Sequence, residues 1–147
     1  MSSIEHFQVI NRPVQHVYEV LTTKKGLSEI WTNDLHFINE IGAINVFRFG
    51  EGDESKIRVE ELVVDKEIVW KCIESDESEW INTIISFDLK ENNQKTEIIF
   101  RHTNWQDITT CYRSCNYNWA IFLYSLKQYC EEGKGMPYQK RTISDIT

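Results

Sequence analysis

The stretch "SCNYNWAIFLYSLKQY", residues 114–129, decides the fold. It has no glycine or proline and reads as helix. It also carries more large apolar side chains than one core-facing stripe requires. Its longest uncharged apolar run, "WAIFLY", falls far short of the roughly 20 residues that span a bilayer. At about 100° per residue, Ile108, Cys111, Tyr112, Cys115, Trp119, Phe122, Leu123, Leu126, Tyr129 and Cys130 share one stripe about 120° wide. That is the width of a core face. The surplus is Tyr117, Ile121 and Tyr124, which share the opposite side. They read either as ordinary surface apolars or as a contact ridge, for which a second copy of the chain is the simplest partner. The pattern predicts a helix from about residue 108 to residue 132, capped by Asp107 and stopped by Gly133, Gly135 and Pro137. Residues 136–147 read as a polar, loose tail.

Upstream the periodicity changes. Residues 4–10 alternate as an opening strand, and Pro13 then suits a first helical turn. Val14, Val17, Tyr18 and Leu21 have helical spacing. Gly26 is expected to end that helix, with one short turn after it. Between residues 34 and 103, "LHFIN", "INVFRF", "KIRVEELVV", "EIVWKCIES", "WINTIISFDLK" and "TEIIFRHT" are rich in β-branched and aromatic residues and are separated by turn signals. Short links between consecutive strands imply an antiparallel meander, and the lack of intervening helices excludes βαβ units. The class is therefore α+β. A curved antiparallel sheet of six to seven strands covers its apolar face with the one long element available, the C-terminal helix, and two short helices follow the first strand.

At 147 residues the chain suits a single domain, drawn from residue 1 to about 135. Sixteen basic and 23 acidic residues give a net charge of −7, so no basic footprint points to nucleic acid or to an anionic membrane. The opening "MSSIEHFQVI" has neither a cationic nor an apolar signal segment. The four cysteines (Cys72, Cys111, Cys115 and Cys130) contain no C-x-x-C pair. They read as reduced, mostly buried thiols of a cytoplasmic protein. Cys111 and Cys115 sit one helical turn apart and would need further ligands to hold a metal. No metal and no cofactor is expected. "RFGEGDES" leads into a strand, so it offers no helix N-terminus for phosphate. The acidic run "ESDESE" lacks calcium-loop spacing and reads as a solvated hairpin turn.

Two stretches resemble a known family. In "VYEVLTTKKGLSEIWT", Val17, Leu21, Thr22, Leu27, Trp31 and Thr32 fit a first helix, a Gly-Leu turn and a Trp-Thr ending. In "NWAIFLYSLKQYCEEGKG", Trp119, Leu123, Leu126, Tyr129 and Gly133 fit a Trp-x3-Leu-x2-Leu-x2-Tyr ending. Between them, "VEELVVDKEIVWKC" and "KTEIIFRHTNW" look like a central hairpin and a last strand. The pattern resembles the START-like (SRPBCC, helix-grip) superfamily. Within it, the likeness is to bacterial homologues of the C-terminal domain of the activator of the 90-kDa heat-shock-protein ATPase. Asn118 stands where a glycine usually precedes the tryptophan, and Ile30 where an aromatic usually precedes Trp31.

The resemblance implies a cavity between the long helix and the concave sheet. Alternation turns Ile98, Phe100 and His102 inward on one strand, and Ile85 and Phe87 on its neighbour. Tyr112, Cys115, Trp119 and Phe122 face them from the helix, Trp31 stands at the mouth, and Trp105 at the other end. Such apolar, aromatic walls suit a small-molecule pocket, a filled core or a catalytic cavity. His102 reads as a hydrogen-bonded core histidine, a ligand-orienting donor or a general base. The last would need a partner in reach and a poised pKa. No catalytic residue is assigned. Three functions follow in order: a module binding an apolar or aromatic small molecule, a protein-interaction module in line with the chaperone-activator likeness, and an aromatase/cyclase-like enzyme.

Overall fold

A computed structural model of the protein describes residues 1–141. Seven strands form one antiparallel sheet in the order β1-β7-β6-β5-β4-β3-β2. They are β1 (Ser2–Ile10), β2 (Leu35–His36), β3 (Ile44–Arg48), β4 (Glu54–Val63), β5 (Glu67–Ser75), β6 (Ile84–Asn92) and β7 (Lys95–Trp105). Helices α1 (Val14–Leu21) and α2 (Lys24–Ile30) follow β1, and α3 (Thr110–Glu132) closes the chain. This is the expected α+β helix-grip architecture, with every consecutive sheet link from β2 to β7 antiparallel.

Alternation sets the inward face as expected. On β7, Thr96, Ile98, Phe100 and His102 are buried, and on β6, Ile85, Phe87 and Leu89 are buried. Trp119, Phe122, Leu123, Leu126 and Cys130 of α3 meet this surface. A strand edge left bare is an aggregation hazard, and α3 closes the β1 edge. Tyr112 Oη donates to the Ser3 carbonyl at 2.6 Å and Lys127 Nζ to the Val9 carbonyl at 2.7 Å. Glu131 accepts from the Asn11 amide at 2.7 Å.

Several boundaries differ from expectation. Helix α3 starts at Thr110, because the Thr109 side chain rather than Asp107 caps it by accepting from the Tyr112 amide at 3.1 Å. Ile108 therefore precedes the helix and is exposed. Gly26 does not end α1. It lies inside α2, where a Cβ would come within 2.0 Å of the Val20 carbonyl oxygen, so it permits the close α1–α2 corner. Trp80 lies in a 3-10 turn, Ser78–Trp80, and β6 begins only at Ile84. The stretch "ESDESE" runs from the end of β5 into that turn rather than forming a tight hairpin.

Residues 136–141 are docked rather than loose. Buried Ser125 of α3 donates to the Ile30 carbonyl at 2.9 Å and accepts from the Met136 amide at 2.6 Å. The Tyr138 amide donates to the Trp31 carbonyl at 2.7 Å, and Gln139 Nε2 donates to Thr32 Oγ1 at 2.7 Å. The remainder of the tail, residues 142–147, lies outside the described residues.

Candidate functional site

A cavity of about 660 Å3 opens between the first half of α3, the 3-10 turn, the end of α2, the link between β3 and β4 with the start of β4, and the docked tail. Its walls are aromatic: Trp31, Phe49, Trp80, Trp119 and Tyr138. Trp80 stacks on Trp119 with ring centroids 6.0 Å apart and planes 20° apart. Trp31 lies 5.4 Å from Trp119 and 5.2 Å from Phe49. Helix α3 contributes Cys111, Ser114, Cys115 and Asn118, and charge enters through Asp53, Glu77 and Arg141. A second depression, about 630 Å3 and lined largely by ionic side chains, shares Asp53, Tyr138 and Gln139 with the first.

The floor beside Trp119 is a hydrogen-bonded chain. Trp119 Nε1 donates to His102 Nδ1 at 2.9 Å. An indole nitrogen only donates, so Nε2 of His102 carries the proton and bonds Thr83 Oγ1 at 2.8 Å. Thr83 Oγ1 donates to the Trp80 carbonyl at 2.5 Å. Trp80 Nε1 donates to Cys115 Sγ at 3.2 Å. His102 is fully buried, and burial pushes its pKa from 6.5 to about 3. Both ring nitrogens are engaged and the ring stays neutral. His102 therefore orients Trp119 and Thr83 and has no free lone pair for a general base. Burial also raises the Cys115 thiol pKa, and burial followed by the neighbouring Cys115 raises that of Cys111. Both stay protonated and poor as nucleophiles.

The structure divides the sequence-predicted pocket residues. Trp31, Cys115 and Trp119 line the cavity. Ile85, Phe87, Ile98, Phe100 and Phe122 are packed against one another and the rest of the core, and His102 and Trp105 are buried beside them. Phe87 lies 5.2 Å from Phe100 and 6.0 Å from Phe122, with no space between them for a ligand ring. Tyr112 turns its hydroxyl to β1 and its ring edge-on to Trp105, 5.3 Å away. On the outer side of α3, Tyr117 and Tyr124 are 57% and 50% exposed, while Ile121 is half-buried.

Sequence reasoning missed the far wall: Trp80, Phe49, Tyr138 and Arg141. The apolar "MPY" after Gly135, in an otherwise polar tail, was the available signal for docking. Among the described residues, Glu77, Glu79 and Cys111 bring potential ligand atoms within 4.8 Å of one another. Both carboxylates are exposed, and Glu79 accepts from Thr109 Oγ1 at 2.6 Å. No helix among the described residues is long and apolar enough to cross a membrane.

Comparison with curated protein sequences found no match. Among solved structures, the chain is similar to the Aha1 dimer from Colwellia psychrerythraea, with 36% identity and a TM-score of 0.85 over 92% of this chain and 100% of that one. A protein from Mesorhizobium loti shares the fold at 15% identity and TM-score 0.77, covering 86% of this chain and 95% of that one. The CalU16 protein of Micromonospora echinospora shares it at 13% identity and TM-score 0.69, covering 97% and 78%. The family model described as "Activator of Hsp90 ATPase homolog 1-like protein" matches residues 11–131. Helix-grip architecture, a 36% identical relative and a family match over most of the chain agree, and the protein belongs to the Activator of Hsp90 ATPase homolog 1-like family of the START-like superfamily.

Proposed function

We propose that the protein binds a small aromatic or apolar molecule in the cavity bounded by Trp31, Trp80 and Trp119. The carrying observation is the cavity itself. Its volume of about 660 Å3 lies inside the roughly 300–1,000 Å3 of small-molecule sites, and it sets aromatic rings beside polar and charged side chains such as Ser114, Asn118 and Gln139. A ligand that binds only the folded state raises the melting temperature, by an amount that grows with the logarithm of its concentration above Kd. A thermal-shift screen with aromatic and lipid-like compounds is expected to show stabilisation, and a flat response across a broad panel removes this reading. A cyclase-like enzyme would have to take its acid–base group from a residue other than His102.

A second reading is a protein-interaction module, with another copy of the chain seated on Tyr117, Ile121 and Tyr124. Two observations favour it: the exposed tyrosines of this ridge and the dimeric state of the Colwellia psychrerythraea relative. Light scattering is expected to give a dimer for the wild type and a folded monomer for Tyr117→Lys. A monomeric wild type, or a dimer that survives the substitution, removes the ridge as its interface. Four free thiols suit a reducing compartment, and we place the protein in the cytoplasm.

A further inference from the structure

Charge along the cavity wall is one-sided. Asp53 and Glu77 line it, and Arg141 is the one base among the described lining residues. Arg141 spends its Nε–H on the Met136 carbonyl at 2.7 Å, and its Nη2 is shut from solvent, so two of its three nitrogens do not face the space. The adjoining depression adds Asp34, Glu51, Glu54 and Asp76 against Arg48. Arg48 is already held by Asp34 at 3.3 Å and Glu54 at 2.8 Å. Among the described residues, neither Asp53 nor Glu77 forms an ion pair with a base. Burial raises the Asp53 pKa, and the nearby Asp76 and Glu77 raise it further, as a negative field does. Residues 142–147, "TISDIT", hold no lysine or arginine and so bring no positive charge to offset this.

Aromatic rings meet the same space. Phe49 and Trp80 are half-buried and Tyr138 is exposed, so these three keep accessible surface where they line the cavity. The Phe49 amide donates to the Asp53 carbonyl at 2.8 Å, and the Trp80 amide to the Glu77 carbonyl at 3.0 Å. Each carboxylate residue therefore sits one tight turn from a ring of the wall. A ring face is negative and attracts a cation within about 6 Å, tryptophan most strongly. An ammonium that leaves water needs such compensation, and carboxylates beside the rings add to it. An anion in the same place would meet repulsion.

Building on the small-molecule reading, we propose that the cavity selects a small organic cation, an ammonium group with apolar substituents, held by the rings of Phe49, Trp80 and Tyr138 with Asp53 and Glu77 as counter-charges.

Phenyltrimethylammonium and tert-butylbenzene have nearly the same shape and differ by one charge. Titration of the full chain, read by tryptophan fluorescence, is expected to show both binding, with the cation favoured about tenfold. The net charge of −7 attracts any cation, so single-charge variants carry the test. Asp53 and Glu77 are exposed, and their loss does not threaten the fold. Asp53→Asn and Glu77→Gln are each expected to cut the advantage about two- to threefold, the range of an exposed charge pair, with tert-butylbenzene binding unchanged. Glu61→Gln removes the same charge from an exposed site on β4, roughly 20 Å along the strand from Ser55, and is expected to leave the advantage as in the wild type. If tert-butylbenzene binds as tightly as the cation, or if the advantage falls no further in Asp53→Asn and Glu77→Gln than in Glu61→Gln, the cation selectivity is overturned and the small-molecule reading stands. If neither probe binds, the small-molecule reading fails and this inference with it.

Discussion

The two halves of α3 meet different surroundings. From Trp119 onward the helix buries Phe122, Leu123, Ser125, Leu126 and Cys130. Phe87 and Phe100 press against that end at ring spacings of 4.5 to 6.0 Å. Before Trp119, Cys111 and Cys115 are only half-buried, and Ser114 and Asn118 are exposed beside the cavity. One end of the grip is core and the other is a chamber, and Trp119 belongs to both. The helix contributes apolar side chains to both ends. What differs is the opposing wall: β6 and β7 at the packed end, and a 3-10 turn with a docked tail at the open one.

The sharpest way to break this contrast is to truncate one aromatic at each end. Phe87→Ala leaves a void among rings that have no freedom to collapse, and is expected to cost about 3–5 kcal/mol. Trp80→Ala removes a half-buried side chain from the rim of a space that already exists. Its expected cost is about 1–2 kcal/mol, a fraction of full burial of a large side chain. Urea denaturation of both variants measures the difference. Equal losses would mean that the open end is packed as tightly as the closed one.

The hydrogen-bonded histidine at the junction gives the next largest effect, and only in acid. The His102 pKa is depressed on folding from 6.5 to about 3, so the unfolded chain takes up a proton that the folded one resists. Its contribution is fully present above about pH 6.5 and is lost as pH falls toward 3. The slope is about 1.4 kcal/mol per pH unit within that window. His102→Gln does not titrate, while carboxylate protonation affects both proteins alike. The stability difference between wild type and variant is therefore expected to shift by about 1.4 kcal/mol per unit between pH 6 and pH 4. Parallel pH profiles would show that His102 is not held neutral by burial.

The packed end was the more legible in the sequence. Period-two alternation identified Ile85, Phe87, Ile98, Phe100 and His102 as inward, and each is buried. Alternation reports which way a side chain points and says nothing of the distance to the opposite wall. By alternation alone an inward residue is equally a pocket residue, whereas Ile85, Phe87, Ile98, Phe100 and Phe122 fill the core. The chamber was hidden because its far wall comes from segments without periodicity. Trp80 looked like the start of a strand, but Asn82 adopts a positive φ of 72° and the chain straightens only at Ile84. Tyr138 and Arg141 sit in a segment whose polar composition masked the buried Pro137 and its backbone bonds to α2 and α3.

Two glycines near that segment offer a finer test of the open end. At Gly135 a Cβ would lie 2.3 Å from the Glu29 carbonyl oxygen and 3.1 Å from Ser125 Oγ, so the tail crosses α2 only because no side chain is present. Gly133 has a φ of +82° but open space around it. Its substitution by alanine is a backbone penalty of roughly 1 kcal/mol. Gly135→Ala adds a clash with main chain, which cannot rotate away, at an expected cost of about 1–3 kcal/mol. The more informative readout is local. The Tyr138 amide bonds the Trp31 carbonyl at 2.7 Å, and its hydrogen exchange is expected to speed up in Gly135→Ala beyond the change in global stability. The Phe100 amide, paired within the sheet, is expected to slow or speed only with that global change. The packed end is then stable by itself, while the chamber depends on six tail residues held by Ser125, Thr32 and the Trp31 carbonyl. If both amides respond equally, the tail and the sheet open as one unit and the chamber is as rigid as the core.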